Sequence, residues 1–414
     1  MKKRAIMGSL FLLALFAATH AVGADTQPEY QQTPLLLNAA DFVPAKLLKG
    51  AGYSVAAQAK NDGLVNIYSV TDADGAATVE STQALLIYIR EHEALQDIEE
   101  IAKTDVYKEA LKNNALGPYN TAKGLVTEPV DTVKKIGSGV GKWFSDMGSS
   151  VTSKDPNQAG LAKTALGQAA AKRDFACRLE VNPYSPNKTL QGKLDDLAWV
   201  AFAGGLTVSA AFSAIPGAAG SAVGMSGTSD SMKQMVRDKS PAELNKINKK
   251  ALSDMGATPQ MADELLNNYV FDPYEKTLMI GALESMKGIK NRSAFIWNAM
   301  NIDDPSVALF LRLQAEYMAA YTAKYKDVAA MVDVCGKTFF KAKDNSIVGI
   351  FPLDYVAWTQ RLDDKERMFS RAIEKINGGK GKKLIVYGKI DSSARKMLES
   401  RGWSVVEEKP VGAS

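Results

Sequence analysis

The chain has 414 residues, of which 46% are hydrophobic and 23% charged, the balance of a globular protein with room for two or three domains. Its formal charge of +4 falls to +1 once the three basic residues of the first 24 are set aside, which leaves no global field to draw nucleic acid. With only two histidines, His20 and His92, a multi-histidine metal site is excluded, and no cofactor or metal is expected.

The first 24 residues read as a secretory signal. Lys2, Lys3 and Arg4 precede an apolar run from Ala5 to Phe16, and small residues end at Val22-Gly23-Ala24. The run is too short for a stable membrane span. Asp25 rather than cysteine follows, so a lipid anchor has no attachment residue at that point. The expected product is a periplasmic chain, cleaved after Ala24.

Residues 25–45 carry Pro28, Pro34 and Pro44 and read as an extended arm. From Gly52 to Glu80 the period is two. Asn61-Asp62-Gly63 and Asp72-Ala73-Asp74-Gly75 supply the turns of a β-meander whose third strand lies around Ala77–Glu80. The paired aspartates read as turn chemistry, since a calcium loop needs more oxygen ligands at alternating positions. Ser81 or Thr82 then starts a long helix with Leu85, Ile89, His92, Leu95, Ile98 and Ala102 at helical spacing. His92 is the one imidazole left after export. On an apolar helix face it reads as a packed residue ahead of a catalytic base. Residues 46–118 thus form a small α+β unit.

A second amphipathic helix is expected at Thr127–Val151. Its apolar side carries Val133, Val140, Trp143, Phe144 and Met147, and Gly137, Gly139 and Gly141 interrupt it. These five residues are the candidate partner- or membrane-facing surface, with the partner-helix reading ahead of a surface-lying membrane helix. Residues 152–196 read as a polar linker and helices around the turn Asn182–Pro186. From Leu197 to Ser229 there is no ionisable acid or base, but 22 of the 33 residues are Ala, Gly, Ser or Thr and Ile215-Pro216-Gly217 breaks the run. A buried helix followed by a glycine-rich loop is expected ahead of membrane insertion.

Residues 230–335 read as a helical bundle. Ser240-Pro241, Thr258-Pro259, Asp272-Pro273 and Asp304-Pro305 each place a capping side chain before a first-turn proline. Tyr317, Tyr321 and Tyr325 form a stripe that reads as packing. Cys177 and Cys335 are the only cysteines, and they are open to two readings, a disulfide or two separate buried thiols.

In residues 336–414 the period changes again. Strands at Ile347–Phe351, Lys383–Tyr387 and Trp403–Glu407 alternate with helices at Lys365–Ile376 and Ser392–Arg401, a βαβ unit with a parallel pair. Gly378–Lys383 precedes a strand and lacks a Gly-Lys-Ser/Thr ending, so it is no phosphate loop, and Gly378 or Gly379 is expected to end the preceding helix.

Four blocks, Gly124–Lys134, Gly139–Phe144, Leu197–Gly205 and Phe351–Trp358, resemble those of a family of exported proteobacterial proteins known only as hypothetical proteins. The resemblance covers most of the chain beyond the signal and implies no activity or ligand.

The expected fold class is α+β and mostly helical: an N-terminal β-meander plus long helix, a central helical bundle and a small C-terminal βαβ unit. The expected function is that of an exported, non-catalytic protein that binds an envelope protein partner or organises an assembly. Two other readings stay open. One is a peripheral membrane protein using residues 126–151 or 197–223. The other is a carboxylate-dependent hydrolase drawing on Asp195/Asp196, Asp303/Asp304, Asp354 or Asp363/Asp364, although adjacent acids diverge along a helix or serve as caps.

Overall fold

The computed structural model describes residues 29–114, 156–214 and 230–409. It is an α+β, mostly helical protein. The helix expected at 127–151, with Val133, Val140, Trp143, Phe144 and Met147, falls outside the described residues, as does the stretch 215–229.

The N-terminal module is an antiparallel sheet in the order β1 (Leu35–Asn38), β4 (Gln58–Asn61), β5 (Asn66–Asp72), β3 (Tyr53–Val55), β2 (Lys49–Gly50), with β6 (Gly75–Glu80) also paired to β5. Both predicted turns form as read. Asn61 Oδ1 accepts from the Gly63 N–H at 2.7 Å, and Asp72 Oδ1 from the Asp74 N–H at 2.9 Å. The extended arm needs correction: its second half is folded. Leu35–Asn38 pairs with β4, and two 3-10 turns at Ala39–Asp41 and Ala45–Leu47 bury Ala39 and Leu47. Only the stretch before it lies extended, with the Gln31 N–H donating to Trp358 O at 2.8 Å in the C-terminal unit.

Helix α1 (Thr82–Lys103) joins two cores. Its first half packs Leu85 and Ile89 against Tyr68 and Val70 of the sheet. Its second half packs Ala94, Ile98 and Ile101 against α2 (Asp105–Asn114), α3 (Pro156–Arg178) and α4 (Lys188–Gly204). Helix α4 takes up the start of the uncharged stretch and ends at Gly205 in the left-handed region, before the short α5 (Val208–Ser213). Among the described residues no helix is long and apolar enough to cross a membrane.

Helices α6 (Asp230–Asp238), α7 (Pro241–Asp254), α8 (Pro259–Asn267), α9 (Pro273–Ser285), α10 (Ser293–Ala299) and α11 (Pro305–Lys324) form the predicted bundle. Each of the four polar–proline pairs caps its helix as read. At Ser240 the capping box is complete, because Glu243 reaches back to the Ser240 N–H at 2.9 Å. The bundle stops at Lys324, short of the expected 335. Residues 328–342 are a hairpin, β7 (Val328–Val334) and β8 (Lys337–Ala342), turned by Cys335 and Gly336, both at positive φ. In β7 the register shifts between Val328 and Ala330, so its buried residues Val328, Met331 and Val334 fall three apart, a spacing that a helix also shows.

The C-terminal sheet runs β13 (Trp403–Glu408), β11 (Lys382–Tyr387), β9 (Ile347–Phe351), β8, β7. The pairs β9/β11 and β11/β13 are parallel, as the βαβ reading requires. Helices α12 (Gln360–Asn377) and α13 (Ser392–Ser400) cover one face over Phe339, Ile347, Ile373 and Leu398. The bundle covers the other over Met331, Phe340, Val348 and Ile385. Gly378 ends α12 at φ +65°, as expected. A two-residue strand, β10 (Tyr355–Val356), pairs in parallel with β12 (Lys389–Ile390).

The two cysteines are free thiols. Cys177 is half-buried at the end of α3 and Cys335 is exposed in the hairpin turn.

Candidate functional site

The segment Phe351–Trp358 is where the N-terminal and C-terminal units meet. Asp354 and Tyr355 donate their N–H groups to Leu64 O, and Ala357 donates to Gly63 O at 3.0 Å. Asn61 Nδ2 donates to Tyr355 O at 3.3 Å. The Asp354 carboxylate crosses the other way. It accepts the Asn66 N–H at 2.8 Å and the Thr82 N–H at 3.1 Å, in a site where Asn66 is wholly buried. Around it Asn61, Asn66, Tyr68 and Thr82 bond to one another, so each polar side chain of this buried patch has a partner. Gly388 makes room for the segment, because a Cβ there would lie 1.8 Å from Leu353 O.

Beside this junction lies a cavity of about 430 Å3. Three parts of the chain wall it. Leu64, Val65 and Ile67 come from the meander. Val307, Leu309, Phe310 and Leu313 come from the first turns of α11. Phe339, Phe351, Leu353, Leu362, Phe369 and Leu384 come from the C-terminal unit. A row of rings runs along the wall, Phe310 to Phe351 at 6.4 Å, Phe351 to Phe339 at 5.2 Å and Phe339 to Phe369 at 5.6 Å. Gly349 permits that spacing, since a Cβ would come within 2.6 Å of the Phe339 ring. The volume falls in the roughly 300–1,000 Å3 range of ligand sites, and an apolar lining with a few polar groups is their usual character.

Of the acids that line the cavity, Asp62, Asp354 and Glu366 are engaged, and Glu80 stands exposed at the end of β6. Asp62 accepts from the Leu64 and Val65 N–H groups and pairs with Arg361 at 2.8 Å. Burial pushes its carboxyl up, but those bonds outweigh it and the group titrates below the usual range. Glu366 accepts from Ser370, from Trp403 Nε1 at 2.8 Å and from Arg401 at 2.7 Å, with Lys382 at 3.4 Å, and these partners likewise overcome burial and hold it low. Asp363 shares Arg401 and also binds Arg367 at 3.1 Å and the Tyr30 hydroxyl at 2.6 Å. Arg401 lies over the buried Trp358 ring at 4.9 Å. Burial lifts the Asp354 carboxyl to about 6, against the pull of the Asn66 and Thr82 N–H groups.

The remaining acids named from the sequence do not converge. Asp195 pairs with Lys172 at 2.7 Å, and Asp196, Asp303 and Asp364 are exposed. Asp304 caps α11 through the Ser306 N–H. His92 is packed between Tyr53 and Tyr88, with Nδ1 2.9 Å from Tyr88 O and Nε2 3.5 Å from Asp72. Tyr317 stacks on Tyr387 at 3.8 Å, and Tyr321 lies over Phe340, so the tyrosine stripe is packing. Of the residues that line the cavity only Asp354 had been named from the sequence as a candidate site acid. Phe310, Phe339, Lys337 and Lys365 carried no local signal. Among the described residues no cluster of His, Cys, Asp and Glu is arranged to hold a metal. No family model, curated protein or solved structure matches the chain.

Proposed function

We propose that this chain is an exported, non-catalytic binding protein of the cell envelope, and that it works by lodging an apolar group in the junction cavity. The observation that carries the reading is the cavity itself, 430 Å3 walled by apolar side chains from three parts of the chain. The state of its carboxylates supports binding ahead of hydrolysis. A glycosidase-type mechanism needs one acid free to give a proton and one free to attack or activate water. Asp62 and Glu366 are held ionised by cations and N–H groups, and Asp354 is spent on the backbone of the neighbouring module. The export reading rests on the first 24 residues and on the resemblance of Leu197–Gly205 and Phe351–Trp358 to exported proteobacterial chains. The second of these blocks is the segment that closes the junction.

A neutral fluorescent probe, N-phenyl-1-naphthylamine, tests the binding reading. It should bind the chain saturably and brighten. Leu309→Trp, a half-buried wall position, should fill the space and weaken binding about tenfold or more. Absence of saturable binding, or equal binding by the variant, would overturn the reading. Mass analysis of the chain from fractionated cells should find it beginning at Asp25 outside the cytoplasm, and an uncleaved cytoplasmic form would refute export.

A further inference from the structure

We infer that the ligand of this cavity is a single-chain anionic amphiphile, a free long-chain carboxylate, with its chain on the phenylalanine wall and its head group at Lys337 and Lys365. The inference rests on the binding reading above and names the ligand class of the same site. Lys337 and Lys365 both line the cavity and both are exposed, so they mark its solvent side. Among the described residues neither ammonium group makes a hydrogen bond or an ion pair, whereas Asp62, Asp354 and Glu366 on the wall each have N–H or cationic partners. Of the charged side chains that line the cavity, Lys337, Lys365 and Glu80 are thus the ones with no side-chain partner among the described residues, and the two lysines outnumber the one acid.

The fold also sets them beside each other's aromatic neighbour. Lys337 and Phe339 are two apart in β8 and share a face of the strand, and Lys365 and Phe369 are four apart in α12 and share a face of the helix. The Phe339 and Phe369 rings are 5.6 Å apart, so the strand and the helix that carry the two lysines meet at this part of the apolar wall. A chain lying along Phe339, Phe351 and Phe310 would end its carboxylate between them. Glu80 belongs to the other wall, at the end of β6, and disfavours an anionic head seated on that side. At 430 Å3 the cavity lies near the small end of the ligand-site range, which suits one alkyl chain and not a two-chain lipid. Two partly exposed ion pairs together contribute on the order of tenfold in affinity.

The experiment displaces N-phenyl-1-naphthylamine from the full chain at pH 7.5 with laurate and with 1-dodecanol, which share a chain length and differ in charge. Laurate should compete about tenfold more strongly than the alcohol, and added salt should shrink the difference. In Lys337→Gln/Lys365→Gln the ratio of laurate to dodecanol competition should fall to about one, read against the variant's own probe affinity. Equal competition by the two ligands in the wild type would overturn the inference, as would a laurate preference that survives the double variant. Vesicles of a two-chain anionic lipid form a third arm, and displacement by them at matched chain concentration would overturn the single-chain assignment. If the neutral probe itself fails to bind, the binding reading falls instead, and the two failures are distinct.

Discussion

Replacing Asp354 with alanine tests whether one carboxylate locks the N-terminal module to the C-terminal unit. The substitution leaves the Asn66 and Thr82 N–H groups, both buried, without an acceptor. Each such donor costs about 1–3 kcal/mol, hence roughly 2–6 kcal/mol for the pair. The variant also removes a carboxyl whose burial raises it from 3.8 to about 6, and that returns about 3 kcal/mol at pH values where the wild type is ionised. The net effect is therefore small at pH 8, roughly −1 to 3 kcal/mol. It grows on acidification. A carboxyl whose folded pKa lies above its unfolded value adds stability that is complete below the unfolded value and lost as pH rises through the folded one. Linkage puts the extra penalty at pH 5, relative to pH 8, at about 1.4 kcal/mol. Urea unfolding of wild type and variant at the two pH values measures this difference, and amide exchange at Asn66 and Thr82 should accelerate in the variant. A penalty that is constant, or that grows with pH, would refute the reasoning, and unchanged exchange at both amides would show that the bonds do not hold the junction.

Arg401→Met should cost about 3–5 kcal/mol, because it strands Asp363 and Glu366, both under 5% exposed, with one shared cation fewer. Urea midpoints would show it, and a loss below 1 kcal/mol would mean that Lys382 and Arg367 suffice. Gly388→Ala should cost about 1–3 kcal/mol by forcing Leu353 O away from its seat, and it should also weaken probe binding, since Leu353 lines the cavity. An alanine variant with wild-type stability and affinity would show that the segment shifts freely.

Much of the fold was legible in the residues because the deciding interactions are local. A capping oxygen and a first-turn proline fix a helix start within four residues, so Ser240, Thr258, Asp272 and Asp304 could be read directly. The alternation in the meander and the strand–helix–strand spacing of the last part are likewise short-range patterns. The hairpin at Val328–Ala342 was missed because the register shift at Val328/Ala330 sets the buried Val328, Met331 and Val334 three apart, a spacing that also fits a helix.

The candidate site was not legible. Leu64 and Phe351 stand 287 positions apart and share a cavity wall only because the backbone of Gly63 and Leu64 is bonded to that of Tyr355 and Ala357. The chain by itself determined which side chains are apolar, which acids cap or turn, and that His20 is the one other histidine beside His92. Only the tertiary structure decided which of those acids are spent on partners and that Lys337 and Lys365 come to line the cavity. Charge and apolarity are properties of a residue, whereas satisfaction and enclosure are properties of the neighbours that folding brings to it.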